Sequence, residues 1–170
     1  MVPGMKISSK GLELIKQYEK EEQFQYLDSA GLPTIGYGHL LTKSELMSGY
    51  IKINDKSVCF HDNDGLLHDE TIALLDQDLD PVEHIVNKLV NVSLTQNQFD
   101  ALVILTFNIG NGGFAESTAL KMINAKKFAE VPDAIMRWNK ITDPKTHKKV
   151  VSKGLTNRRQ KEIDLFLSPV

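Results

Sequence analysis

Glu19-Lys20-Glu21-Glu22-Gln23-Phe24-Gln25-Tyr26-Leu27-Asp28-Ser29-Ala30-Gly31-Leu32-Pro33-Thr34-Ile35-Gly36-Tyr37-Gly38-His39 is the stretch on which the fold turns. A helix leads into it. Ser8 and Ser9 are capping residues, and Leu12, Ile15 and Tyr18 follow at helical spacing. This first helix is predicted to end near Glu21 and Glu22. Phe24-Gln25-Tyr26-Leu27-Asp28 is then rich in aromatic and apolar residues, and Ser29-Ala30-Gly31 is turn-like. Thr34-Ile35-Gly36-Tyr37-Gly38-His39 places glycines where a backbone bends or is approached closely. The stretch reads as a helix end followed by a hairpin or small sheet.

Downstream, Tyr50-Ile51-Lys52-Ile53, Asn54-Asp55 and Ser57-Val58-Cys59-Phe60 alternate as a second hairpin within Ser48–Asp64. From Asp69 the pattern turns helical, with Ile72, Leu75, Leu79, Val82, Val86 and Leu89 three or four apart. Pro81 falls inside that run. It either kinks one helix or sits at the first position of a new one capped by Asp80. Thr95-Gln96-Asn97-Gln98 is a capping-box pattern. It opens Phe99 to Ile109, apolar on most faces and so read as a buried central helix. Gly110-Asn111-Gly112-Gly113 ends it. Helical stretches follow around Ser117–Ala125 and Phe128–Trp138, then a polar loop from Asn139 to Lys153. A last helix begins at Thr156, with Ile163, Phe166 and Leu167 as its apolar positions. Neither an internal repeat nor a Pro/Gly/Ser linker interrupts this order. The expected fold class is α+β, one domain over residues 1–170. A small N-terminal sheet, roughly residues 22–64, and a larger helical lobe, roughly 69–170 plus the N-terminal helix, are expected to leave a cleft between them.

Composition narrows the function classes. The chain has 170 residues, 41% of them hydrophobic, so it can bury a real core. Its formal charge is only −2, which gives no global basic field for nucleic acid. Lys145, Lys148, Lys149 and Lys153 cluster locally, either as a solvated loop or as a patch that meets an anionic substrate. Cys59 is alone, so an intrachain disulfide is excluded and a reducing cytosol is compatible. The first residues lack an apolar core of signal-peptide length, and no run reaches the roughly 18 apolar residues of a membrane span. The expectation is a monomer made in the cytoplasm, without membrane insertion, carried to any outside target by something else.

Glu19 ends an amphipathic helix just before a sheet, Asp28 lies nine positions on, and Thr34 six after that. Glycosidic hydrolysis requires a group that protonates the leaving oxygen and a carboxylate or activated water that attacks the sugar carbon. A carboxyl on a helix end and another on a hairpin can serve, with a hydroxyl to hold the water. Spacing leaves the alternatives open: Asp28 is also an ordinary turn residue, and Glu19 an ordinary helix charge.

The surrounding residues resemble the active-site stretch of phage-type lysozymes, glycoside hydrolase family 24. That pattern is Glu, eight residues, Asp or Cys, five residues, Thr, then Ile-Gly-x-Gly-His, and each position matches. Phe107-Asn108-Ile109-Gly110 resembles the family's cleft-lining segment. Arg137-Trp138 and the Gly154 to Glu162 segment with Arg158 and Arg159 resemble its later motifs. The resemblance spans nearly the whole chain. It implies a muramidase that cleaves between N-acetylmuramic acid and N-acetylglucosamine, inverting the anomeric carbon without metal or cofactor and so causing lysis. It implies Glu19 as acid, Asp28 and Thr34 holding the water, and Phe107 and Asn108 at the substrate. Arg158 is implied as the ion-pair partner of Glu19. His39 is implied as structural, with Asp78 its expected partner and Asp80 next. Lys20 departs from the pattern, where the family usually has glycine, and Glu21 and Glu22 crowd three carboxylates into one turn.

Other candidates are weaker. His61-Asp62-Asn63-Asp64 with His68 and Asp69 matches neither a zinc nor a calcium spacing. Cys59 has no flanking signature of a nucleophile. Trp138 is expected in the core. Asn108, polar in an apolar helix, needs a partner, which a sugar acetamido group or cleft backbone would supply. Two rivals stay open. A lytic transglycosylase would use the muramic acid 6-hydroxyl instead of water, and a non-catalytic peptidoglycan-binding module would bind without cleaving. The user is either a phage, with an endolysin that relies on a holin, or a bacterium, with a machine-delivered antibacterial toxin and an immunity protein.

Overall fold

The computed structural model describes residues 4–61 and 65–169. Asp62, Asn63 and Asp64, the acidic part of the run weighed as a metal cluster, lie outside the described residues. The elements run α1 (Ser9–Glu19), β1 (Glu22–Leu27), β2 (Pro33–Gly36), β3 (His39–Leu40), α2 (Lys43–Ser48), β4 (Tyr50–Ile53), β5 (Lys56–Cys59) and α3 (His68–Leu89). They continue with α4 (Gln96–Ile109), α5 (Asn111–Ala115), α6 (Thr118–Asn124), a 3₁₀ turn at Phe128–Glu130, and α7 (Val131–Met136). Last come β6 (Lys140–Thr142), β7 (Lys149–Val151) and α8 (Lys153–Leu167). The class is α+β, as expected. The chain divides into two compact units. One is Glu13–Pro81; the other joins the N-terminal segment through Leu12 to the chain from Val82 onward.

In the Glu13–Pro81 unit, β1, β2 and β3 form an antiparallel sheet in that order. Thr34 faces both neighbours, pairing with Tyr26 on one side and Leu40 on the other. The hairpin β4–β5 pairs Tyr50 with Cys59 through Ile53 with Lys56. Its Asn54-Asp55 turn has φ of 49° and 67°, the left-handed pair that matches strand twist in a two-residue hairpin. Alternation along β4 sends Ile51 and Ile53 inward, where they join Ile35, Leu41, Phe60, Leu66 and Leu74 in one apolar cluster. Helix α2 was not anticipated, although Thr42-Lys43-Ser44-Glu45 is a capping box with both reciprocal bonds formed.

In the other unit, α4 is the buried helix the apolar run predicted, with nine of its fourteen residues buried. Its Thr95–Gln98 capping box is formed. It packs against α8, and Phe128 stacks on Phe166 at 6.3 Å. The buried Asp100 carboxylate accepts from Ser8 N at 3.0 Å, from Gln96 Nε2 at 2.8 Å and from the Ser8 hydroxyl. That fixes the residue which also caps the start of α1, through Gly11 N at 3.2 Å. The expected polar loop from Asn139 to Lys153 is instead partly the hairpin β6–β7. Its strands have only three residues each, too short for alternation to register in the sequence.

Pro81 lies inside a continuous α3 of 22 residues, so the one-helix alternative holds. Helix α1 stops at Glu19, earlier than expected, because Lys20 turns left-handed at φ 53°. This position favours glycine, since a Cβ there meets the carbonyl oxygen, at roughly 1–2 kcal/mol. The family's usual glycine at this point thus has a conformational reason, and Lys20 carries the strain. Lys20→Gly is therefore expected to stabilise the protein by about 0.5–1 kcal/mol after the extra chain entropy glycine must lose. The thermal midpoint should rise by about 2 °C. An unchanged or lower midpoint in differential scanning calorimetry would mean that Lys20 makes contacts outweighing its strain.

Candidate active site

Glu19 sits at the very end of α1, where the chain leaves the helix for the sheet. A Cβ built on Gly38 would lie 2.6 Å from Glu19 Oε2 and 3.0 Å from its Cδ. Gly38 also has φ 74°. Two independent constraints thus demand glycine there: a left-handed turn and a carboxyl group lying on its Cα. The Gly-Tyr-Gly-His segment is the seat of the Glu19 side chain.

Tyr26 shares that region, and sequence reasoning missed it. Burial raises its pKa, and the negative charges of Glu19, Glu22 and Asp28 raise it further. Its hydroxyl therefore keeps its proton at neutral pH and stands among three carboxylates as a donor. The only signal was its place one residue from the middle of an aromatic strand, which reads equally well as sheet surface.

Asp28 Oδ1 accepts from Ala30 N at 2.9 Å and Leu32 N at 2.8 Å, so the turn reading of this residue is real. Those bonds also fix the carboxylate in place. Thr34 is 2% exposed, and its hydroxyl donates to the Leu32 carbonyl at 2.8 Å. With its proton committed, Thr34 Oγ1 has only lone pairs to offer, and anything it holds must donate to it. Asp28 and Thr34 are tied to one turn through Leu32.

Glu21 does not join the expected crowd of carboxylates. It accepts from Thr71 Oγ1 at 2.7 Å and from His68 Nδ1 at 2.9 Å. The Tyr37 hydroxyl donates to it as well. Burial raises the Glu21 pKa, but the bonds from Thr71 and His68 outweigh it, and the net shift is downward. His68 is thus a partner of Glu21. Among the described residues no three His, Cys, Asp or Glu side chains are arranged to hold a metal ion.

His39 lies between two carboxylates, with Nδ1 2.8 Å from Asp78 Oδ2 and Nε2 3.0 Å from Glu45 Oε1. Sequence reasoning did not anticipate Glu45. The same Glu45 oxygen accepts from Thr42 N at 2.9 Å, so the imidazole is tied to the cap of α2. Burial alone would lower the His39 pKa. The bonds and charges of Asp78 and then Glu45 outweigh it and raise the pKa to about 9.

In the other unit, Phe107 is partly buried and Asn108 exposed near the end of α4. The partner expected for Asn108 is supplied from within: Arg159 Nη2 donates to its Oδ1. Arg159 and Glu162 are both 0% exposed and Arg158 is 8% exposed. Glu162 stands 3.3 Å from Arg158 Nε and 3.2 Å from Arg159 Nη1. Burial raises the Glu162 pKa to about 7 despite the two guanidinium groups. Trp138, expected in the core, is instead only partly buried and lines an open cavity with Asn108.

Comparison with known proteins decides what this arrangement belongs to. Residues 16–162 match the phage lysozyme family. The chain belongs to that family. It is 39% identical over 167 residues to an endolysin of Salmonella phage P22, covering 96% of this chain and 99% of that one. The solved endolysin from Escherichia coli O157:H7 phage FAHEc1 is 38% identical with a TM-score of 0.80, covering 100% of this chain and 98% of that one. The muramidase domain of SpmX from Asticaccaulis excentricus is 34% identical with a TM-score of 0.78, covering 96% and 99%. The enzyme is a lysozyme-type glycoside hydrolase, a muramidase that degrades peptidoglycan of the bacterial cell wall.

The His39 clamp makes stability depend on pH. A histidine whose folded pKa is raised gives its full stabilisation below the unfolded value near 6.5, and loses it as pH rises through about 9. The loss is expected to be on the order of 3 kcal/mol between pH ~6 and ~10. Urea unfolding across that range should show it, and Asp78→Asn should flatten the alkaline decline. A wild-type stability that stays level to pH ~10 would show that the imidazole is not held charged.

Proposed function

We propose that Glu19 is the general acid of the muramidase, delivering a proton to the leaving sugar oxygen. Asp28 and Thr34 hold the attacking water on the other side of the anomeric carbon. The observation that carries this reading is the seat of Glu19 on Gly38, which fixes one carboxyl at the helix end beside the sheet. The fixed Asp28 carboxylate and the acceptor-only Thr34 oxygen suit a water that donates to both. Water so held loses a proton toward Asp28 as its oxygen attacks. Tyr26 is the neutral hydroxyl among these carboxylates and adds no charge to them. Phe107 and Asn108 are the substrate contacts of the helical unit, with Arg159 fixing the Asn108 amide so that its Nδ2 group is the donor it offers. His39, Asp78 and Glu45 support the strand that carries Thr34.

The biological reading is a phage endolysin. The relatives named above as endolysins support that context over a toxin with an immunity protein. In it, a holin opens the way from the cytoplasm to the wall.

Glu19→Gln is expected to fold normally and to lose roughly 10²–10⁴-fold in turnover, the contribution of a positioned general acid. More than about a tenth of wild-type turnover on purified sacculi would remove Glu19 from that role. The same assay, followed by mass spectrometry, should show reducing ends. Anhydro sugars would replace hydrolysis with transglycosylation.

Stereochemistry tests Asp28. Retaining enzymes set their carboxyls about 5–5.5 Å apart for direct attack, and inverting ones leave about 6.5–9.5 Å for a water. With water held by Asp28 and Thr34, a β-linked strand should release the α-anomer first. Proton NMR before mutarotation reads this directly. Initial release of the β-anomer would make Asp28 a nucleophile.

A further inference from the structure

Lys20 stands where the family usually has glycine, and the reaction assigned above gives it no task. Its N–H still donates to the Lys16 carbonyl at 3.0 Å, as a helical residue would, yet its φ of 53° is left-handed. The exposed Lys20 side chain has no hydrogen bond or ion pair among the described residues, so none of its own polar contacts offsets that strain. The offset comes from its neighbours. On one side is Glu19, whose carboxyl lies on Gly38. On the other is Glu21, whose carboxylate is held by three side chains. Thr71 Oγ1 donates to it at 2.7 Å, His68 Nδ1 lies 2.9 Å away, and the Tyr37 hydroxyl donates as well. Thr71 is fully buried and Tyr37 nearly so, which makes the socket a fixed one.

Tyr37 and Gly38 are consecutive, and Glu19 and Glu21 flank Lys20. The Glu19–Gly38 contact and the Glu21–Tyr37 bond are therefore adjacent rungs between the same two segments. One rung receives the carboxyl before the turn, and the other fixes the chain after it. Burial opposes the charge on Glu21, but the bonds from Thr71 and His68 keep its pKa low, so the socket holds an ionised group at neutral pH. Without that hold, Lys20 relaxes toward the right-handed region that L-residues prefer, and the helix end shifts against Gly38. We propose that Glu21 is a positioning residue for the general acid: its socket holds Lys20 in the left-handed turn that a glycine takes unaided, and so keeps Glu19 on its seat. The proposal rests on the reading of Glu19 as the acid. Tyr37, Thr71 and His68 act through Glu21 as the walls of its socket.

The test is a cycle of four proteins: wild type, Glu21→Gln, Lys20→Gly and the double variant. Turnover is measured on soluble peptidoglycan strands, well below the thermal midpoint of each protein. Glutamine has the size of glutamate but loses the charge and brings a donor into a socket of donors. Glu21→Gln should lower kcat about tenfold, the scale of one unsupported left-handed residue, and leave KM within about twofold. Lys20→Gly should turn over like wild type. In the double variant the turn needs no hold, so kcat should return to within about threefold of wild type. Tyr37→Phe removes one bond of the socket without changing a charge. It should lose kcat in the same sense, restored in the same way by Lys20→Gly, and it carries the test if Glu21→Gln does not fold. A Glu21→Gln protein with wild-type kcat would overturn the proposal, as would a loss that Lys20→Gly leaves in place. A merely structural Glu21 would lower the thermal midpoint and spare kcat, which also overturns it. Glu19→Gln, assayed alongside, separates the two readings. If it is active, the acid assignment falls and the positioning role with it. If it is inactive beside a fully active Glu21→Gln, only the positioning role falls.

Discussion

The Glu19 carboxyl group lies against the Cα of Gly38, closer than any side-chain carbon could be tolerated. Much of the Glu13–Pro81 unit is arranged so that this contact can exist. Helix α1 must stop at Glu19, which Lys20 achieves by turning left-handed. The β2–β3 turn must pass directly beside the helix end, which needs Gly38 both for its φ and for its missing Cβ. The apolar cluster around Ile35, Ile51 and Leu74 then anchors the sheet from behind.

Two polar clamps hold that turn from either side of it in sequence. Tyr37 and Glu21 tie it to Thr71 and His68 at the start of α3. His39 ties it to Asp78, a little further along α3, and to Glu45 at the cap of α2. Each clamp uses a charged or strongly polarised hydrogen bond in a partly buried setting, where such bonds are stronger than in water. The histidine of the Gly-Tyr-Gly-His string is therefore matched to a carboxylate pair that keeps it charged, and it is poorly suited to act as a base at neutral pH. The carboxylates of the 19–22 run, which look like one crowd, have separate tasks: Glu21 builds the frame, while Glu19 and Glu22 face Tyr26.

The other unit builds its polar residues on a different plan. Asn108 at the end of a buried helix is fixed by Arg159, and Arg159 and Arg158 are both compensated by the fully buried Glu162. Burial makes Glu162 reluctant to ionise even between two guanidinium groups. Such a cluster orients groups more than it stabilises the fold, because taking charges out of water offsets much of their attraction.

The sequence by itself determined the reaction class, the α+β order and the buried helix. Capping residues, helical apolar spacing and the Glu19 to His39 string are local patterns, and local patterns survive without coordinates. The Asn54-Asp55 turn and the Thr95 capping box belong to the same category. Tertiary structure alone decided the rest. It turned Trp138 from core into cavity wall, and made Glu45 a second partner of His39. It also placed Tyr26 among three carboxylates and folded a polar loop into the hairpin that carries Lys140 and Lys149. The reason is physical. A side chain's neighbours across strands and helices set its charge state, exposure and available donors, and those neighbours come from chain closure over tens of residues, which no local spacing records.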